Sequence, residues 1–156
     1  MIVFEHFISK QLLGISDGIR NTVQNPIQNK PNESGITRVL LVDDDQDVLF
    51  SMVTALESNG FVVDAFSSPD IALEKFKPNY YELLLLDIRM PGMTGFELFE
   101  EINKLDGKVH VVFITAFEVY YEALKEIYPD LVPSSFIQKP ISNDDLVGRI
   151  RRELSK

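Results

Sequence analysis

Five short, mostly apolar runs set the rhythm of the chain: Val39 to Val42, Phe61 to Phe66, Leu83 to Leu86, Val111 to Ile114 and Phe136 to Gln138. Strands buried on both faces read as such runs, because covering helices leave no solvent side. The stretches between them switch to a helical period. Val48, Leu49, Met52, Val53 and Leu56 share one face of a first helix. Ser68 as N-cap and Pro69 in the first turn predict a second, which buries Ala72, Leu73 and Phe76. Thr94 and Glu97 have capping-box spacing and open a third with Leu98, Ile102 and Leu105 inward. A fourth is predicted over 118–128, before Pro129, and a fifth from Ser142 with Leu146, Ile150 and Leu154 on one face. From Thr37 onward strands and helices alternate, the pattern of an α/β domain with a parallel sheet.

The residues at the strand ends change the picture. Asp43 and Asp44 end the first run, Asp87 the third, Thr115 the fourth, and Lys139 with Pro140 the fifth. Open parallel sheets bind ligands at the carboxyl ends of their strands. Three carboxylates, a hydroxyl and an ammonium therefore converge on one edge, a set suited to a divalent cation and a phosphoryl group.

Residues 1–36 differ. Ile2, Phe4, Ile8, Leu12 and Ile15 fit a short amphipathic helix, while Gln24 to Gly35 is polar, carries Pro26 and Pro31, and reads as a linker. The expected division is an extension over 1–36, disordered or partly helical, and a domain over 37–156. Acids and bases balance in the extension, so the net charge of −9 sits on the domain and argues against direct nucleic-acid binding. The chain has no Cys, and His6 and His110 are far apart, which removes thiol chemistry and zinc sites built on Cys or His. No apolar stretch approaches the roughly 20 residues that span a bilayer, and Glu5 and His6 interrupt any signal-peptide core. The expected location is cytoplasmic.

Val42-Asp43-Asp44-Asp45, Leu86-Asp87-Ile88-Arg89-Met90-Pro91-Gly92-Met93-Thr94-Gly95, Ile114-Thr115-Ala116 and Phe136-Ile137-Gln138-Lys139-Pro140 occur in order, each at a strand end. Together they resemble the receiver domain of two-component response regulators, over Arg38 to Leu154. The resemblance implies a flavodoxin-like, doubly wound, five-stranded parallel sheet of order 2-1-3-4-5 with helices on both faces. It implies that Asp87 is the phosphoacceptor, and that Asp43, Asp44, Asp87 and the Arg89 backbone carbonyl hold Mg²⁺. Lys139 would neutralise the phosphoryl oxygens and Thr115 would hydrogen-bond one of them. Pro140 fits the family's cis peptide, and Phe136 matches its switch aromatic, without the hydroxyl or ring nitrogen that many members carry there. Arg89 and Phe117 occupy positions that tune phosphoryl lifetime. The segment 119–135, with Tyr120, Tyr121 and Tyr128, falls on the usual signalling face together with the last strand and last helix.

The implied function is a stand-alone phosphoacceptor. A histidine kinase or phosphotransfer protein modifies Asp87, and the altered face meets a downstream protein. The domain would be a monomer or a weak phosphorylation-dependent dimer that catalyses only its own phosphorylation and dephosphorylation. Arg149, Arg151 and Arg152 read as charges favourable to a helix C-terminus rather than a nucleic-acid contact. Asp45 reads as an N-cap. One alternative is a receiver-like interaction module that is never phosphorylated, whose usual mark is loss of the acids or the lysine. Another is a phosphohydrolase of the haloacid dehalogenase type, disfavoured because Arg89 stands where that family needs a second Asp. No Gly-rich phosphate loop follows the first strand, which disfavours a nucleotide-binding enzyme.

Overall fold

The computed structural model describes residues 35–116 and 132–156, together with Glu126 and Pro129. The expectations for residues 1–34, for the helix over 118–128 and for Phe117 lie outside the described residues. The apolar runs become β1 (Arg38–Val42), β2 (Val62–Phe66), β3 (Leu83–Asp87), β4 (His110–Thr115) and β5 (Phe136–Gln138). All pair in parallel in one sheet of order β2-β1-β3-β4-β5. The described helices are α1 (Gln46–Ser58), α2 (Pro69–Lys75), α3 (Gly95–Leu105) and α4 (Asn143–Leu154), with a 3-10 turn at Pro133–Ser135 before β5. None of them is long and apolar enough to cross a membrane.

Successive strand side chains point to opposite faces, so each apolar run feeds two cores. Val39, Leu41, Leu83, Leu85, Val112 and Ile114 pack with Leu49, Met52 and Leu56 of α1 and Leu146, Val147 and Ile150 of α4. Leu40, Val42, Leu84, Leu86 and Phe113 turn the other way, toward Ala72 of α2 and Leu98 and Ile102 of α3. All five residues of β3 are buried. Each buried Leu there contributes about 1.5–3 kcal/mol relative to exposure. The strand at the centre is also the one that ends in Asp87.

Most caps form as the residues suggest. The Asp45 carboxylate accepts from the N–H groups of Asp47 and Val48. Thr94 and Glu97 close a reciprocal capping box, and Ser142 accepts from Asp145 N–H. Three expectations are corrected. Ser68 stands at the N-cap of α2 but its side chain makes no cap bond, and the helix starts on the fixed φ of Pro69 instead. Leu105 is 55% exposed: it is the last residue of α3, whose buried apolar residues are Leu98 and Ile102, and the chain leaves the helix in an extended conformation at the next residue, Asp106. Asp106 is buried and accepts from the backbone N–H groups of Asn79 and Lys108. Arg149 is not a helix-end charge. Its guanidinium donates to the carbonyls of Phe136 (2.7 Å) and Ser134 (3.2 Å) and ties α4 to the start of β5.

Candidate functional site

Register brings the strand ends level. Val42 pairs with Leu86, Asp87 with Ile114, and Thr115 with Gln138. Asp43, one residue past β1, is 1% exposed. Its N–H donates to Phe66 O, and its Oδ1 accepts from Asp45 N–H at 3.0 Å. Asp44 is exposed, while Asp87 at the end of β3 is buried. The Arg89 N–H donates to Asp87 Oδ2 at 3.2 Å. The backbone N–H of Lys139 donates to Thr115 O at 2.7 Å, which sets the lysine beside the buried threonine. The Lys139–Pro140 peptide is cis. Lys139 Nζ donates to Asp43 Oδ2 at 2.7 Å and to Asp87 Oδ1 at 3.2 Å.

Oxygens of Asp43, Asp44 and Asp87 lie within 4.8 Å of one another. At that range and an effective dielectric near 20, each ionised pair repels by roughly 4 kcal/mol. Burial pushes the Asp87 carboxyl above its ordinary range; the charge and hydrogen bond of Lys139 pull it back, the Asp43 charge adds to the rise, and the Arg89 N–H opposes it. Burial alone would lower Lys139, but its hydrogen bond to Asp43 and the charges of Asp43 and Asp87 outweigh that, and its affinity for the proton is raised. A compact set of hard carboxylate oxygens, two of them buried, fits a small divalent cation. The donor chemistry matches Mg²⁺.

Asp43, Asp87 and Lys139, all singled out from the sequence, thus meet directly. Asp44 joins the acidic cluster, Thr115 is tied to Lys139 through the backbone, and Phe136 lies at the start of β5. Sequence reasoning gave no role to Gly95. Its N–H donates to Ile88 O, and a Cβ there would stand 2.3 Å from the Asp87 carbonyl oxygen. The signal was a poor helix former placed at the first position of a well-capped helix.

Fold and site together define a class: an open parallel α/β domain with an acid cluster and a lysine at the carboxyl edge of its sheet. The chain belongs to the response regulator receiver domain family, whose profile matches residues 39–151. It is 35% identical over 120 residues to the response regulator receiver protein CpdR of Brucella abortus, covering 75% of this chain and 96% of that protein. It is also 35% identical over 123 residues to the C4-dicarboxylate transport transcriptional regulatory protein DctD of Rhizobium meliloti. That match covers 79% of this chain but only 26% of the relative's length. The chain spans 50% of the transcriptional regulatory protein DltR of Streptococcus agalactiae. Among solved structures, the non-phosphorylated HemR receiver domain of Leptospira biflexa superposes with a TM-score of 0.68 at 29% identity, over 77% of this chain and 95% of that one. A CheY-like receiver from Methanospirillum hungatei JF-1 gives 0.67 at 29%, over 77% and 94%. Receiver domains are signalling modules that interact with histidine kinases and downstream effectors, and they generally bind Mg²⁺ at an acidic pocket.

Proposed function

We propose that this chain is a phosphoacceptor of a two-component phosphorelay, modified on Asp87 by a histidine kinase or phosphotransfer protein. The observation that carries this reading is the convergence of Asp43, Asp87 and Lys139 at hydrogen-bond distance on the carboxyl edge of the sheet. An oxygen of Asp87 attacks phosphorus, and the bond from phosphorus to the donor's imidazole nitrogen breaks. The electron pair stays on that nitrogen. Lys139 holds a cationic donor against the phosphoryl oxygens, and the Thr115 hydroxyl bonds one of them. Asp43, Asp44, Asp87 and the Arg89 carbonyl would hold Mg²⁺, which supplies neutralising charge to the phosphoryl group. A groove of about 630 Å³ between α1 and α4, lined by Val48, Met52, Pro140 and Leu146, opens beside Lys139.

In this reading the chain acts in the cytoplasm, catalyses only its own phosphorylation and dephosphorylation, and signals by protein contact without binding nucleic acid directly. Phe136 and Thr115 switch the β5 and α4 face for a downstream partner, as a monomer or a weak phosphorylation-dependent dimer. The test is intact-mass spectrometry after incubation with Mg²⁺ and acetyl phosphate. One added phosphoryl group is expected on the wild type, none on Asp87→Asn and none with chelator. No addition to the wild type by either acetyl phosphate or a panel of phosphorylated kinases would replace this reading with the unphosphorylated interaction module.

A further inference from the structure

The aromatic side chains on the α3 side of the sheet form a connected stack. Phe113, fully buried in β4, stacks on Phe136 with centroids 5.6 Å apart and planes at 23°. Phe96 lies 4.6 Å from Phe113 and 6.4 Å from Phe136. Phe99 meets Phe113 edge-on at 5.8 Å. Phe113 and Phe136 are register partners, so their rings leave the same face of the sheet. Phe96 and Phe99, three residues apart, share one side of α3.

Both ends of this stack are anchored. Phe96 follows Gly95, whose N–H donates to the Ile88 carbonyl at 3.0 Å and whose Cβ position, if filled, would fall 2.3 Å from the Asp87 carbonyl oxygen. The base of Phe96 is therefore tied to the backbone immediately after Asp87, at Ile88. At the far end, Arg149 donates to Phe136 O at 2.7 Å and β5 pairs with β4. With its backbone held, rearrangement at Phe136 falls to the ring. We propose that Phe96 is a positioning residue for Phe136, and that the Phe96–Phe113–Phe136 stack links the acceptor to β5 alongside the Thr115 hydroxyl. This rests on the phosphoacceptor reading. The stack fixes one placement of the Phe136 ring, so weakening it changes the balance between that placement and any other the ring takes on modification.

The test is a double-mutant cycle on the full chain, with Mg²⁺ and beryllofluoride as a reversible mimic of the aspartyl-phosphate. Affinity is measured by calorimetry for the wild type, Phe96→Leu, Phe136→Leu and the double variant, with circular dichroism confirming that each folds. Phe96→Met serves if Phe96→Leu does not fold. Ring stacking of this kind is worth roughly 2- to 10-fold in an equilibrium constant. Phe96→Leu is expected to change mimic affinity by that factor, and the change is expected to vanish in the Phe136→Leu background. A merely structural Phe96 lowers thermal stability without that dependence on Phe136. An equal shift in both backgrounds, or none in either, overturns the assignment while the phosphoacceptor reading stands. A wild type that takes no mimic overturns both.

Discussion

Replacing Lys139 by Met removes the ammonium that stands 2.7 Å from Asp43 and 3.2 Å from Asp87 while keeping most of the side-chain volume. The two carboxylates are 2% and 8% exposed at their side chains, so water cannot replace the lost donor fully. Removing one partner of a buried ion pair costs about 3–5 kcal/mol. Lys139 itself is 19% exposed, and Asp44 opens the cluster to solvent, which brings the expected loss to about 2–3 kcal/mol. For a chain of this size that is a fall in melting temperature of roughly 4–12 °C. The assay is thermal unfolding by circular dichroism at neutral pH, with chelator and with millimolar Mg²⁺. The metal stabilises the variant more than the wild type, because it neutralises carboxylates that the lysine no longer pairs, and the deficit then shrinks below about 1 kcal/mol. Lys139 is raised in the folded state, so its contribution is fully present below the ordinary lysine value of 10.5 and is lost as pH rises through the folded one. The difference between wild type and variant is therefore expected to narrow only above that value on the alkaline side. A variant within about 1 °C of wild type in chelator, or a deficit that Mg²⁺ leaves unchanged, would refute the reasoning.

Three further outcomes follow from the same geometry. Gly95→Ala drives a methyl against the Asp87 backbone carbonyl, which has no flexible end to move aside, and is expected to cost about 3 kcal/mol or more and to weaken Mg²⁺ binding at the displaced carboxylate; an unchanged melting temperature and metal affinity would contradict this. Asp87 is raised, first by burial, so its proton competes with metal above the ordinary carboxylate range; calorimetric Mg²⁺ affinity is expected to fall between neutral pH and about pH 5, and a flat profile would count against the site. The Tyr81 hydroxyl donates to Asp64 at 2.7 Å, and burial together with that bond and the Asp64 charge pushes the phenol well above its ordinary value. Its contribution is present below a pKa of about 10 and lost as pH rises through the folded value. Tyr81→Phe is expected to lose about 1–3 kcal/mol at neutral pH and to narrow the gap to wild type at alkaline pH, checked by urea unfolding across that range.

The chain itself determined the strands, the inward faces of α1 and α4 and the capping box of α3, because burial on both faces and helical period are local constraints on residue type. It also marked Asp43, Asp44, Asp87, Thr115 and Lys139, since a polar residue ending an apolar strand has nowhere to lie except the sheet edge. The strand order came with the family resemblance, since no pattern within one strand says which neighbour it takes. Contacts between distant residues were decided only in three dimensions. Lys139 reaches Asp43 across 96 positions of chain, and Tyr81 reaches Asp64 across 17. The stack of Phe96, Phe113 and Phe136 depends on register and on how α3 lies over β4. Leu105 turned outward at the end of α3, where the chain leaves the helix and Asp106 turns in to accept from Asn79 and Lys108, and Arg149 became a tie to β5 because packing brings α4 against the carbonyls of Ser134 and Phe136. Composition fixes what a side chain can do; which partner it meets is set by packing, which a one-dimensional pattern does not contain.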